Sequence, residues 1–242
     1  MNRRTITRPG AIFGAAALTA LALLSVPLVT GHADSAPRTL PPPAIDVPQD
    51  GSGLQTAVFG GGCFWGVQGV FQHVQGVTEA VSGYTGGQVA NPGYELVSSG
   101  TTGHAESVRV TFDPAHVSYG RLLQIFFSVA LDPTQVDGQG PDWGTQYRSE
   151  LFVTTPQQDH VARAYLAQLQ AAHVFSRPIA TRIDPAGAFY PAEAYHQDYL
   201  TRHPDAMYIA TYDIPKVRNL QALFPQNWQD APVMVVKSAS GS

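Results

Sequence analysis

Apolar residues along this chain fall into short alternating runs and helical stripes separated by glycine and proline punctuation. Gln55 to Phe59 reads as a short apolar strand that runs into Gly60-Gly61-Gly62. Beyond the glycines, Cys63 to Gln72 has helical spacing, with Phe64, Val67, Val70 and Phe71 forming one stripe. Val77 to Tyr84 predicts a second strand, and Thr85-Gly86-Gly87 and Asn91-Pro92-Gly93 mark turns after it. From Ala105 to Phe112 the pattern alternates: Glu106, Val108, Val110 and Phe112 share one face, and Ser107, Arg109 and Thr111 the other. Asp113-Pro114 ends that run.

Ser118 has the chemistry of a helix cap for a segment reaching about Ala130, whose apolar side is Leu122, Leu123, Ile125, Phe126 and Phe127. Asp132 to Gln146 is polar and broken by Gly and Pro, a loop long enough to carry function. Ser149 to Thr154 reads as a strand. Thr155-Pro156-Gln157-Gln158 combines a capping box with proline at the first helical position and opens a helix to about His173. Ile179 to Ile183 is a further strand, and Pro191 begins a last amphipathic helix ending near His203-Pro204. Strands and helices mix without strict βαβ alternation. The predicted fold is therefore α+β, a single domain with a central mixed β-sheet flanked by helices.

The two ends differ from this body. Arg3, Arg4 and Arg8 precede an uncharged stretch from Pro9 to Gly31, and small residues around Ala33 complete the pattern of a secretory signal over residues 1–33. An uncleaved membrane anchor is the competing reading. Residues 34–53 hold Pro37, Pro41, Pro42, Pro43 and Pro48 without apolar periodicity and predict an extended linker. The catalytic domain then spans 54–225, and 226–242 is expected to be a mobile tail. The protein is thus expected outside the cytoplasm, periplasmic or secreted, touching a membrane only if the first segment is retained, and as a monomer. Net charge is −4 with 13% charged residues and no like-charge run, which argues against nucleic acid as a partner.

The chain has one cysteine, Cys63, so it can form no internal disulfide. A lone thiol in an oxidising compartment is either buried and inert or kept for its reactivity. Its place after three glycines, at the start of a helix, favours a thiolate through the exposed N–H groups and the helix dipole. The glycines also let a substrate approach the backbone. Phe64 and Trp65 follow; both fit the core, yet adjacent helical residues point in different directions, so one can line a pocket for a sulfur-bearing methyl group. Glu106 lies on an apolar strand face, where burial would hold it protonated as a general acid, unless the strand's start leaves it solvated at the rim. Tyr84, Tyr94 and Tyr147 each sit beside a turn, where a hydroxyl can serve a departing oxygen or simply reach water. The seven histidines of the mature region show no zinc spacing, so no metal or other cofactor is called for. His104 with Cys63 would make a cysteine hydrolase, the rival chemistry, and a binding module without turnover is the third class.

Gly62-Cys63-Phe64-Trp65-Gly66 resembles the signature of the peptide methionine sulfoxide reductase A family. The likeness extends through Gly83-Tyr84-Thr85-Gly86-Gly87, Asn91-Pro92-Gly93-Tyr94, Gly103-His104-Ala105-Glu106 and Asp132-Pro133-Thr134-Gln135. It continues in Gly144-Thr145-Gln146-Tyr147-Arg148-Ser149 and in the block from Phe189 to Gln197. The resemblance implies that Cys63 attacks the sulfur of methionine S-sulfoxide, free or in oxidised proteins, and becomes a sulfenic acid. It implies Glu106 as the acid, Tyr94 and Tyr147 as partners of the oxygen, and Asp142 as a residue that orders the site. Phe64 and Trp65, with Gly62 and Tyr190, would bind the substrate, and Tyr84 would be structural. Many relatives resolve the sulfenic acid with further cysteines near the C-terminus; Met207 to Ser242 contains none. The expected cycle therefore relies on an external thiol, thioredoxin-like or small.

Overall fold

Alternation at period two and stripes at period 3.6 demand a sheet covered by helices, and that is the architecture found. The computed structural model describes Met1, residues 38–49 and residues 53–236; the expected export segment, residues 2–33, lies outside them. The strands are β1 (Gln55–Gly61), β2 (Val77–Thr85), β3 (Ala105–Phe112), β4 (Gly138–Gln139), β5 (Asp142–Trp143), β6 (Ser149–Val153), β7 (Arg182–Pro185) and β8 (Tyr190–Pro191). Six of them form one sheet in the order β7-β6-β1-β3-β2-β8, while β4 and β5 make a separate ribbon. Only β6 and β7 pair in parallel, so the sheet is mixed, as expected.

The helices are α1 (Phe64–Gln72), α2 (Tyr94–Ser98), α3 (Tyr119–Ile125), α4 (Pro156–Ala171), α5 (Tyr199–Arg202) and α6 (Ile214–Leu223). The face of β3 carrying Glu106, Val108, Val110 and Phe112 is the buried one, and all four residues are at most 2% exposed. Val108 pairs with Phe59, Val110 with Ala57 and Ala80, and Glu106 with Tyr84, so α1 settles on a continuous apolar surface. Phe59 stacks on Phe71 of α1 with ring centroids 4.6 Å apart, and Phe126 closes the cluster 5.0 Å from Phe59. A smaller cluster of Val58, Ala105 and Phe152 covers the opposite face.

The predicted caps form. The Ser118 hydroxyl accepts from the Arg121 amide, and Thr155 accepts from Gln158, with Pro156 opening α4. The segment expected to run helical to Ala130 does so, but Phe126–Ala130 widens into a π-helical turn. The strand expected at Ile179 starts at Arg182 instead. Ala180 donates its amide to Pro133 and Thr181 bonds Ser149 through side chains, so the first residues of that run belong to the preceding loop.

The last predicted helix is broken. Gln197 is extended and Asp198 is left-handed (φ 58°), leaving a 3₁₀ turn at Ala194–His196 and the short α5. The cause is a buried amide: Gln197 accepts from the Ser82 amide and donates to the Ser82 and Ala192 carbonyls, while Gln68 accepts from the Asp198 amide. Side chains thus satisfy backbone groups that a helix would have satisfied internally.

Both ends of the domain are held more firmly than composition implied. Residues 226–236 were expected to be a mobile tail, yet Trp228 bridges Val74 and stacks on His73 at 4.5 Å, and Asp198 accepts the amides of Val235 and Val236. In the Pro-rich segment, Leu40 is 2% exposed, its amide donates to Ser128 Oγ, and its carbonyl accepts from Gln124 Nε2. Tyr165 donates to Pro41 O, and Asp46 accepts from Ser118 Oγ and the Gly120 amide at the start of α3. A strap, not a free spacer, runs over α3 and α4. Leu40→Ala should lower the unfolding free energy by about 2–4 kcal/mol, read by denaturant unfolding; a change below about 0.5 kcal/mol would show the strap to be passive.

Candidate functional site

β1 delivers the chain to the N-terminus of α1 through a turn that only glycine enters cheaply. Gly62 has φ +87°, and a Cβ there would stand 2.5 Å from Gln139 Cβ. The space beside Gly62 is therefore taken by the β4 residue Gln139, and its glycine serves the turn rather than an approaching substrate. Cys63 follows as the N-cap residue of α1, 8% exposed, with its sulfur accepting no hydrogen bond from the helix amides. The thiol thus sits where the sequence placed it, at a helix start, but almost fully enclosed.

Glu106 reaches the same helix end from the sheet. Its Oε2 accepts the Phe64 amide at 3.1 Å, and the residue is 2% exposed. Desolvation pushes its carboxyl up to about 8, against the pull of the Phe64 amide and aided by the charges of Asp142 and Asp213. The solvated-rim alternative is thereby removed. The expected lowering of the Cys63 thiol is not found. Burial raises it well above its ordinary value, and Glu106 and Asp213 raise it further; the Trp65 amide and Lys216 pull it back only in part. Helix-terminal N–H groups lose to desolvation here because the sulfur is out of water. Burial thus favours the neutral form of both the thiol and the carboxyl.

Aromatic rings enclose the pair. Phe64 is 1% exposed and packs against Tyr84 at 5.8 Å and His196 at 5.2 Å, so it belongs chiefly to the core. Trp65 is half-buried; its indole stacks on Tyr199 at 4.0 Å and donates to His196 Nδ1 at 3.1 Å. That bracing fixes one plane as a wall. Tyr94 packs on the His196 ring at 4.4 Å, and Glu193 holds both the Tyr94 amide and the Tyr84 hydroxyl at 2.9 Å. Burial raises the phenols of Tyr94 and Tyr147, and both lie in the field of Glu106 and Cys63, so both stay protonated donors. Asp142, on β5, accepts from the Tyr208 hydroxyl. Tyr190 stands apart on edge strand β8, opposite Tyr84, with its ring edge-on to His104 at 5.6 Å.

His104 decides against the hydrolase reading. Its Nδ1 accepts the Gly87 amide at 3.1 Å, which requires the proton on Nε2, and Nε2 lies 2.8 Å from the Val89 carbonyl. Both nitrogens serve the turn at residues 86–89, and neither remains to activate a thiol.

The profile of the peptide methionine sulfoxide reductase family matches residues 55–228, most of the chain. The chain belongs to that family. A peptide methionine sulfoxide reductase of Mesorhizobium japonicum (MsrA 2) is 54% identical over 188 residues, 78% of this chain and 96% of its own. The Synechocystis MsrA 2 is 48% identical over 196 residues, covering 80% and 90%. Among solved structures, the methionine sulfoxide reductase A of Corynebacterium diphtheriae superposes with a TM-score of 0.55 at 32% identity, covering 72% of this chain and 88% of that one. Reduced Mxr1 of Saccharomyces cerevisiae gives 0.58 at 30% identity, covering 66% and 91%. The chain is a methionine sulfoxide reductase, an oxidoreductase that repairs oxidised methionine at the expense of thiols.

Several residues of this reductase's site escaped the sequence reading. Tyr208 caps a π-helical turn at Ile209–Asp213, Asp213 ends it, and Lys216 lies in α6, and neither element was predicted. A signal was available: Asp213 stands two residues before Pro215, the pattern that opens a helix. His196 and Glu193 lay inside a recognised block, but only the fold shows them bracing Trp65, Tyr84 and Tyr94.

The raised Glu106 carboxyl makes stability depend on pH. Its neutral form is favoured by folding, so that contribution is complete below the unfolded value near 4.5 and is lost as pH rises through about 8. Glu106→Gln should flatten the decline in unfolding free energy between those limits. Parallel pH profiles for variant and wild type in thermal melts would contradict the buried neutral carboxyl.

Proposed function

We propose that Cys63 takes the oxygen in this reductase and that Glu106 supplies the proton that lets it leave. The observation that carries the reading is the Glu106 carboxyl, buried and hydrogen-bonded to the amide next to Cys63, where desolvation pushes it up to about 8. A methionine sulfoxide entering beside Trp65 would present its methyl group to the indole and its oxygen to the Glu106 carboxyl and the phenols of Tyr94 and Tyr147. Attack by Cys63 sulfur breaks the substrate's sulfur–oxygen bond. One oxygen and two oxidising equivalents pass to Cys63 as sulfenic acid, methionine departs, and the thiol's proton returns to Glu106. Asp142 acts at one remove, by holding the Tyr208 hydroxyl beside the pocket. The S epimer at sulfur is the substrate form that the family resemblance implies.

Regeneration uses external thiols. Cys63 is the only cysteine, so a first thiol forms a mixed disulfide with release of water and a second frees Cys63. The reductant is a thioredoxin-like protein or a small thiol, and the protein works as an exported monomer; Arg3, Arg4 and Arg8 ahead of an uncharged stretch support export.

Mixing reduced protein with methionine sulfoxide, without reductant, should add one oxygen to Cys63 by mass spectrometry and release one methionine per thiol. Cys63→Ser should abolish this, and Glu106→Gln should slow the single turnover by about 10²–10⁴-fold. The wild-type step should also weaken as pH rises through about 8, where the acid is lost. A Glu106→Gln variant as fast as wild type would remove Glu106 from the role of acid.

A further inference from the structure

A largely buried ion pair is pressed against the helix that carries Cys63. Asp213 is fully buried; its Oδ1 accepts from Lys216 Nζ at 3.0 Å, and its Oδ2 has no hydrogen-bond partner among the described residues. Both groups close on Gly66, the third residue of α1: a Cβ there would stand 2.2 Å from Asp213 Oδ1 and 2.9 Å from Lys216 Nζ. The missing side chain at Gly66 is what admits them.

Neither packing nor helix electrostatics explains the pair. A buried ion pair is commonly no more stabilising than apolar residues of the same volume. Asp213 precedes α6 but makes no capping hydrogen bond to it. Lys216 sets a cation near the N-terminus of α1, where the helix dipole disfavours one. What the position does offer is a cation against the first turn of the helix that Cys63 caps.

We propose that Lys216, clamped by Asp213 in the niche at Gly66, is the positioning residue that makes the Cys63 sulfur nucleophilic in this site. The proposal rests on the reading of Cys63 as the attacking group. Every side chain that faces that sulfur bears on it. From β3 comes Glu106, itself in the field of Asp142 of β5, from the turns and helices the phenols of Tyr94, Tyr147 and Tyr208, and from the C-terminal segment Asp213 and Lys216. Burial, Glu106 and Asp213 oppose the anion; Lys216 is the cation that favours it, with the Trp65 amide as the other favourable contact. Lys216 transfers no proton. It stabilises the anion while the proton moves to the departing oxygen, and Asp213 holds the ammonium in place while limiting its effect.

The two residues should therefore act in opposite senses, which lost packing alone would not produce. Because Cys63 is the only cysteine, its alkylation by iodoacetamide reports on this one sulfur. Lys216→Met should move the alkylation profile to higher pH by about one unit, a rate about tenfold lower at neutral pH, and should slow the single-turnover sulfoxide step comparably. Lys216→Arg should recover most of the loss, and Asp213→Asn should move the profile to lower pH. The double variant Asp213→Asn/Lys216→Met removes both charges at nearly constant volume and should fall between the single variants, so a poorly folding single variant does not block the test. An unmoved profile in Lys216→Met, or shifts in the same direction for Lys216→Met and Asp213→Asn, overturns the proposal. Reduction of sulfoxide by Cys63→Ser would instead overturn the assignment of the nucleophile.

Discussion

The hydrogen bond from the Phe64 amide to the Glu106 carboxyl ties the helix that carries the thiol to the sheet that carries the acid. Its 3.1 Å span fixes the order of every other part of the site. The first free N–H of α1 is spent on a carboxyl group rather than on water, and a carboxyl group held there is too dry to ionise readily. Two acids thus lie side by side, and burial favours the protonated form of each. The raised Cys63 thiol fits that arrangement, since a thiolate is more readily oxidised than a buried thiol.

Much of this was legible before any coordinates, for identifiable reasons. The face of β3 could be read because alternation at period two has one solution for a strand covered on one side, and Glu106 fell on the covered face. The junction at Gly62 and Cys63 could be read because the glycines end one apolar run and helical spacing begins beyond them, whereas the left-handed turn at Gly62 shows only in the fold. The segment after Pro191 could not, because Gln197 uses its side-chain amide to complete the backbone of Ser82 and Ala192, a long-range substitution that leaves no local trace. Asp213 and Lys216 were missed for a related reason: what matters is their approach to Gly66, a contact between residues some 150 positions apart in the chain. The direction of the Cys63 shift was misjudged because sequence shows the helix start but not the depth at which it is buried.

The aromatic residues divide by the same logic. Phe64 and Trp65 are neighbours, yet one is core and the other is half-buried and braced from behind by His196 and Tyr199. A wall that is stacked and hydrogen-bonded keeps its plane when the substrate is absent, so little ordering remains to be done on binding. The contacts of half-buried Glu193 and buried His196 have no direct part in the chemistry, but they set the angle at which Trp65 and Tyr94 meet the pocket.

The segment ahead of β1 carries a practical lesson about where this fold begins. The region shared with the family starts at residue 55, whereas the bonds that complete α3 and α4 come from residues 40–46. A fragment excised at the shared boundary would leave Gln124 and Ser128 facing an empty cleft and strip the start of α3 of its aspartate. The folding unit is longer than the part that the family profile covers, and it reaches back at least to Leu40.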